Sequence, residues 1–309
     1  AYSDYVWYRG LELTGYSGLW ASEIDTSYYR GNRYINLVIH DTQITQAINN
    51  FNGGSEFYGC IVYNANEGYA IYAHNKLGPQ PRYKILEDCV FFDNTGSSGG
   101  RGQQVQLGSG GGAGIENIRF RGNVIFNADL RYGKMETASI DPTYGSYMNG
   151  VCSDNYLYNL MWWQFGRLSR NLTIERNWLI YVGILEFYAC DALTGPNVVV
   201  RSNVYTGQLS IDCPGVTSVN NQKVTTPAGQ YVFIRPNQYS DTNDLKVGHI
   251  IVYTFNGAPT MQINVSNLLE TGERYSVRDV QDYYGTPVAT GSYTGSISVV
   301  LPDTNSPSP

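Results

Sequence analysis

Short phrases in which apolar and polar residues alternate recur along the first two-thirds of the chain. They are Tyr8-Arg9-Gly10-Leu11-Glu12-Leu13, Ile35-Asn36-Leu37-Val38-Ile39, Leu86-Glu87-Asp88-Cys89-Val90-Phe91, Phe120-Arg121-Gly122-Asn123-Val124-Ile125, Ile174-Glu175-Arg176-Asn177-Trp178-Leu179 and Val200-Arg201-Ser202-Asn203-Val204-Tyr205. Each predicts strand rather than helix. Laid over one another, the phrases form columns. One reads Tyr8, Tyr34, Phe57, Leu86, Phe120, Cys152, Ile174, Val200; a second reads Leu13, Ile39, Val62, Phe91, Ile125, Leu157, Leu179, Tyr205. Every member is apolar, aromatic or a buried-type cysteine. Between them runs Leu11, Leu37, Cys60, Cys89, Asn123, Asn155, Asn177, Asn203, whose last four members predict an asparagine ladder.

Successive phrases lie about 22 to 34 residues apart, an internal period that signals a solenoid with loops of variable length inserted at a corner. One such coil cannot bury its apolar face alone. It stacks on its neighbours at about 4.8 Å, and like residues pile into continuous rows. Asparagine suits the bend, because it tolerates left-handed backbone geometry and its amides bond from coil to coil. The predicted fold is therefore an all-β, right-handed parallel β-helix over residues 1–226, and the asparagine ladder is structural.

Beyond Val224-Thr225-Thr226-Pro227-Ala228-Gly229 the coil pattern fades. Shorter alternating runs take over: Tyr231-Val232-Phe233-Ile234, His249-Ile250-Ile251-Val252-Tyr253, Met261-Gln262-Ile263-Asn264-Val265, Arg274 to Asp279 and Ser296 to Leu301. These predict a small antiparallel β-sandwich over 227–302. Residues 303–309, rich in Ser and Pro, read as a linker-like tail.

Tyr5-Val6-Trp7-Tyr8-Arg9-Gly10-Leu11-Glu12-Leu13, Gly68-Tyr69-Ala70-Ile71-Tyr72-Ala73 and Asn117-Ile118-Arg119-Phe120-Arg121-Gly122-Asn123-Val124-Ile125-Phe126-Asn127 resemble phrases of bacterial right-handed parallel β-helix repeat proteins. These belong to the pectate-lyase-like superfamily, and the resemblance covers roughly residues 1–226. The C-terminal part looks like the β-sandwich modules that close many carbohydrate-active enzymes. The resemblance implies a fold, not a reaction. The paired-aspartate and Gly-His-Gly signatures of polygalacturonases are missing, as are the Arg-x-Pro-x-x-Arg and Asp-rich calcium patterns of pectate lyases. In such proteins the coils follow a capping segment. Here the pattern begins within the opening residues, which implies a processed, truncated or partner-covered N-terminus.

Composition narrows the partners. Charged residues make up 15% of the 309, while Gly (34) and Tyr (27) are abundant, the usage of a turn-rich β protein. A net charge of -6 gives no electrostatic footprint for nucleic acid. No apolar stretch reaches the ~18 residues of a membrane span, and no leader opens the chain. The sequons Asn171-Leu172-Thr173 and Asn264-Val265-Ser266 make Asn171 and Asn264 candidate glycosylation sites and fit an extracellular protein, secreted or at the cell surface. The five cysteines show no metal-ligand spacing, and no cofactor motif is present. Cys60 and Cys89 share a column in consecutive coils and are a candidate disulfide, as are Cys190 and Cys213; Cys152 is left as a core thiol.

Outward side chains of a β-helix form parallel rows that suit a long polymer. Alternation turns Leu185 and Phe187 inward and Glu186 and Tyr188 outward. By the same count Tyr72 and His74, Gln104 and Gln106, Trp162 and Gln164, and Ser210 and Asp212 face solvent. Aromatic faces cover the C–H surfaces of a sugar ring, and amides and carboxylates bond its hydroxyls. Tyr72, Gln104, Gln106, Trp162, Gln164 and Tyr188 are thus candidate substrate-binding residues; the competing explanation is that tyrosines simply decorate sheet surfaces. Glu186 and Asp212, from successive coils and about 5 to 10 Å apart, are the candidate catalytic carboxylates. His74 is a candidate accessory base. His40 and His249 read as strand residues without partners. Lys76, Arg101, Arg131 and Lys134 fall in loops without a motif, and the run Gly108–Gly114 lacks the Lys-Ser/Thr ending of a phosphate loop.

The expectation is a secreted protein that meets a polysaccharide or cell-surface glycan, related to polysaccharide lyases or glycoside hydrolases. The alternative is a structural or adhesive module that self-associates head to tail into a fibre or surface layer.

Overall fold

The computed structural model describes residues 6–15, 19–20, 31–43, 46–51, 54–65, 69–74, 83–94, 103–107, 117–127, 134–136, 148–165, 169–187, 197–211, 214–239 and 246–301. The chain divides between Thr226 and Pro227 into two compact units.

The first unit is all β, built of long stacked parallel sheets as in a β-helix. Its first face is a nine-stranded parallel sheet with one strand per coil, from Trp7–Arg9 through Asn32–Ile35, Ser55–Tyr58, Lys84–Glu87 and Ile118–Arg121 to Val216–Val219. Each coil bends into a second face, such as Val38–Thr42, Ile61–Tyr63 and Val90–Phe92, and then a third, such as Gln46–Phe51, Tyr69–His74 and Gln103–Leu107. The long strands Tyr156–Phe165 and Trp178–Phe187 run through both, so the second and third faces form one fifteen-stranded sheet.

Backbone register pairs the two apolar columns rung by rung. Tyr8, Tyr34, Phe57, Leu86, Phe120, Cys152, Ile174 and Val200 are consecutive partners on the first face. Leu13, Ile39, Val62, Phe91, Ile125, Leu157, Leu179 and Tyr205 are consecutive partners on the second. Both rows belong to one continuous hydrophobic core. Where the rungs carry rings, they stack: Tyr8 on Tyr34 at 5.2 Å and Tyr34 on Phe57 at 4.8 Å between centroids. A fully buried lysine, Lys84, interrupts the neighbouring inward row, between Ser55 and Ile118.

The bend between the first and second faces differs from expectation in one respect. The left-handed residue is not the asparagine but the one before it: Gly10, Asn36, Gly59, Asp88, Gly122, Asp154, Arg176, Ser202 and Asn220 all have positive φ. That residue turns the chain and leaves the next side chain pointing into the bend. Asn123, Asn155, Asn177 and Asn203 are accordingly fully buried. Each donates Nδ2 to the Oδ1 of the asparagine one coil on, at 2.9–3.1 Å, and Asn221 extends the ladder by a rung. The same Nδ2 also donates to a backbone carbonyl of the coil before, such as Leu86 O or Phe120 O. Both amide hydrogens are used, which makes burial of the amide tolerable.

Cys60 and Cys89 precede the asparagines in this column, and their thiols are free, as is that of Cys152. The Cys60–Cys89 disulfide is therefore not formed. Residues in one column project in parallel at the coil spacing of about 4.8 Å, whereas a disulfide needs Cβ atoms converging to about 3.8 Å. Instead Cys60 Sγ donates to Tyr34 O and Cys89 Sγ to Glu87 O, each at 3.4 Å. Cys190 and Cys213 lie outside the described residues.

The second unit contains three antiparallel strand pairs, Gln230–Pro236 with Gly248–Thr254, Thr260–Ile263 with Ile297–Val300, and Arg274–Val277 with Ala289–Ser292. They enclose a small core of Met261, Ile263, Val265, Tyr293, Ile297 and Val299. Ala289–Ser292 carries no apolar alternation and is a strand only by virtue of its partner. Among the described residues, no helix is long and apolar enough to cross a membrane.

Candidate functional site

On the third face the inward positions Ile48, Ile71, Val105, Trp163, Leu185 and Leu209 form a row, with the Met135 backbone as the register partner between Val105 and Trp163. The next residue of each strand lies on the opposite side of the sheet. Register therefore aligns Asn49, Tyr72, Gln106, Glu136, Gln164, Glu186 and Ser210 in single file. Of the residues singled out in the sequence, Tyr72, Gln106, Gln164 and Glu186 are brought together here. All four are partly exposed; Tyr72 and Gln106 occupy adjacent rungs about 4.8 Å apart, as do Gln164 and Glu186, and the Glu136 rung lies between the two pairs. Gln164 Nε2 donates to Glu186 Oε1, so amide and carboxylate act as one polar unit. Asn49 and Glu136 occupy the same backbone row and were missed. The alternation of Lys134-Met135-Glu136 carried that signal, but so short a strand reads as loop without its neighbours.

Gln104 corrects the expectation that it faces solvent: it is fully buried. In three consecutive coils two successive residues turn inward, Ala47-Ile48, Ala70-Ile71 and Gln104-Val105. In the following coil Met135 alone fills that interval, and the register shifts there. The extra residue reverses the alternation at Gln104. Its Oε1 accepts from Asn94 Nδ2 at 2.7 Å inside the corner.

Trp162 lies one row aside, half-buried with its indole nitrogen withdrawn from solvent. Tyr188 and Asp212 lie outside the described residues, so the Glu186–Asp212 pairing has no geometry to report. His74 pairs with Phe51 along the backbone, and its side chain also lies outside them, as do Lys76, Arg101 and Arg131. Asn171 is exposed and links its neighbours: its Nδ2 donates to Asn149 Oδ1 and its Oδ1 accepts from Asn197 Nδ2. Asn264 is also exposed, with Oδ1 accepting from Ser266 N and the Tyr293 hydroxyl.

His40 is far from partnerless. Nδ1 meets Asp41 Oδ2 at 2.7 Å and Nε2 meets Glu12 Oε1 at 2.9 Å. Burial opposes its charge, but the hydrogen bonds it donates to Glu12 and Asp41, with their negative charges, outweigh it and raise the imidazole above its usual value. The ring heads an outer stack, His40 on Tyr63, Tyr63 on Phe92 and Phe92 on Phe126, with centroids 4.8–5.0 Å apart.

At the corner between the second and third faces, Tyr158 and Tyr181 are exposed and meet edge to face at 5.6 Å. Burial of one side of Tyr158, together with Tyr181, pushes its phenol upward. Met161 stands exposed beside the third face. Among the described residues, no group of three His, Cys, Asp or Glu side chains could hold a metal ion. No protein-family model, curated protein or solved structure matches this chain.

Proposed function

We propose that this chain is an extracellular, right-handed β-helix protein of the pectate-lyase-like kind, carrying a β-sandwich module, that holds a polysaccharide or cell-surface glycan along its third face. One observation supports the reading above the rest: Tyr72, Gln106, Gln164 and Glu186 share a single outward row. A repeating polymer meets a repeating surface in register, and amides and carboxylates on successive rungs bond successive hydroxyls. Earlier along the strands that carry Gln164 and Glu186, at the corner before the third face, the exposed pair Tyr158 and Tyr181 offers further aromatic surface. If a glycosidic bond is also cleaved, Glu186 is the candidate carboxylate, with a second acid required within about 5 to 10 Å.

The test is a glycan array followed by calorimetry on the best ligand. A Tyr72→Ala, Gln164→Ala variant with an unchanged circular dichroism spectrum should lose at least about tenfold in affinity, roughly 1.4 kcal/mol. Incubation of wild type and Glu186→Gln with neutral and uronate polymers, reading reducing ends and unsaturated products, separates cleavage from binding. Absence of any glycan interaction, with concentration-dependent filaments in the electron microscope, would replace this reading by head-to-tail assembly.

A further inference from the structure

The first face carries a polar chain of its own on its outer side. Arg33 Nε bonds Glu56 Oε2 at 2.6 Å, and the Tyr58 hydroxyl donates to the same oxygen at 2.9 Å. Arg119 Nη2 donates to the Tyr58 hydroxyl at 3.3 Å, and its Nε bonds Glu87 Oε1 at 2.5 Å. The two carboxylates lie deep, with side chains 10% and 8% exposed, whereas that of Arg119 is 47% exposed. Each acid thus has a guanidinium within bonding distance.

Beside this chain the surface sinks into a groove of about 480 Å³, lined by Glu56, Tyr83, Ile85, Asn117, Arg119 and Asn149 among others. The depression is shallow and open to solvent, and Glu56, Ile85, Arg119 and Val151 of its lining are one register row across four coils. The Tyr83 ring on its wall packs over Gly54, in the space that a Cβ there would need. Asn117 and Asn149 are exposed corner residues in the left-handed region, with φ of 55° and 56°. Asn197, Asn171 and Asn149 are joined amide to amide at 3.1 and 3.2 Å, but among the described residues no hydrogen bond continues that ladder to Asn117. Asn149, the end of that ladder, and Asn117 both line the groove.

We infer that this groove is a second ligand site, for a neutral sugar of one or two residues, on a different face from the row proposed above. Amides and the Arg119 guanidinium offer donors to hydroxyls, Tyr83 offers a ring edge or face, and Ile85 gives an apolar floor. The paired charges favour a neutral ligand. A uronate would bring its carboxylate beside Glu56 and Glu87, and among the described residues lining the groove the one cation, Arg119, is already paired with Glu87.

Nuclear magnetic resonance titration with neutral mono- and disaccharides tests the inference. Saturable shifts should appear at Asn117, Arg119 and Asn149, and the Tyr72→Ala, Gln164→Ala variant should keep them. Asn117→Gly retains the backbone geometry and removes the amide; Val151→Trp fills the groove from an exposed position. Each should weaken binding at least about tenfold while thermal melting stays within a few degrees of wild type. Shifts confined elsewhere, undiminished affinity in Val151→Trp, or binding of uronates alone would overturn it. Because the third-face variant is scored separately, failure here leaves the polysaccharide reading standing, and the converse holds too.

Discussion

Asn177 Oδ1 accepts two hydrogen bonds from Asn155, one from its backbone N and one from Nδ2, both at 2.9 Å. Asn177 Nδ2 in turn donates to Cys152 O and to Asn203 Oδ1. One buried amide thus satisfies groups on the coil before and the coil after.

Asn177→Ala should therefore cost more than a cavity of its size. It takes their partner from two donors of Asn155 and from the Cys152 carbonyl, while Asn203 Oδ1 keeps the bond from the Asn177 backbone N, at about 1–3 kcal/mol for each buried group left unsatisfied. We expect a loss of at least about 3 kcal/mol in the urea unfolding of the first unit. A loss under about 1 kcal/mol would show that water replaces the amide.

His40 gives the first unit a pH dependence with a definite sign. Its folded value lies above the ordinary one of about 6.5, because the charged ring donates to both Asp41 and Glu12. The stabilisation is complete below about 6.5 and fades as pH rises through the raised folded value. Melting temperature measured across that window should fall in the wild type and stay flatter in His40→Gln. A ring titration midpoint under 6.5 would contradict the geometry.

The three described thiols should be inert in the folded protein. Cys89 and Cys152 are wholly buried, and burial pushes both thiols well up, so almost no thiolate exists at neutral pH. Alkylation followed by mass spectrometry should leave Cys60, Cys89 and Cys152 unmodified under native conditions. All three should label fully in denaturant without reductant.

Two glycines should fail for different reasons. A Cβ on Gly183 would stand 2.4 Å from Met161 O, a backbone atom of the adjoining coil, so Gly183→Ala forces coils apart at about 1–3 kcal/mol. Gly10 has open space around it but a φ of +60°, so Gly10→Ala costs about 1 kcal/mol through backbone strain alone. Denaturation midpoints of the two variants should rank in that order.

Much of the architecture was legible because a solenoid repeats its environment. The residue above Phe57 meets the same surroundings as Phe57, so Leu86 and Phe120 come out alike, and the columns can be read off the letters. The same holds for the asparagines, since an amide in that bend is satisfied only by another one rung away. Of the candidate site, Gln164 and Glu186 obeyed simple alternation along regular strands, while Tyr72 and Gln106 face outward just after the irregularity in theirs.

Where alternation broke, the letters misled. A single extra residue turned Gln104 inward, and only the pairing of its strand with Lys134–Glu136 reveals the shift. His40 looked solitary because Glu12 lies 28 residues away along the chain, yet the two are adjacent across one coil spacing. Cys60 and Cys89 looked bondable because a shared column was visible while the parallel direction of their side chains was not.

The sequence by itself determined the coil, its core columns and its ladder, because periodic burial leaves a periodic imprint on residue type. Only the tertiary structure decided which polar groups meet and which way each irregular strand faces. Those depend on register between coils, and a shift of one residue there reverses a side chain without altering the composition of the chain.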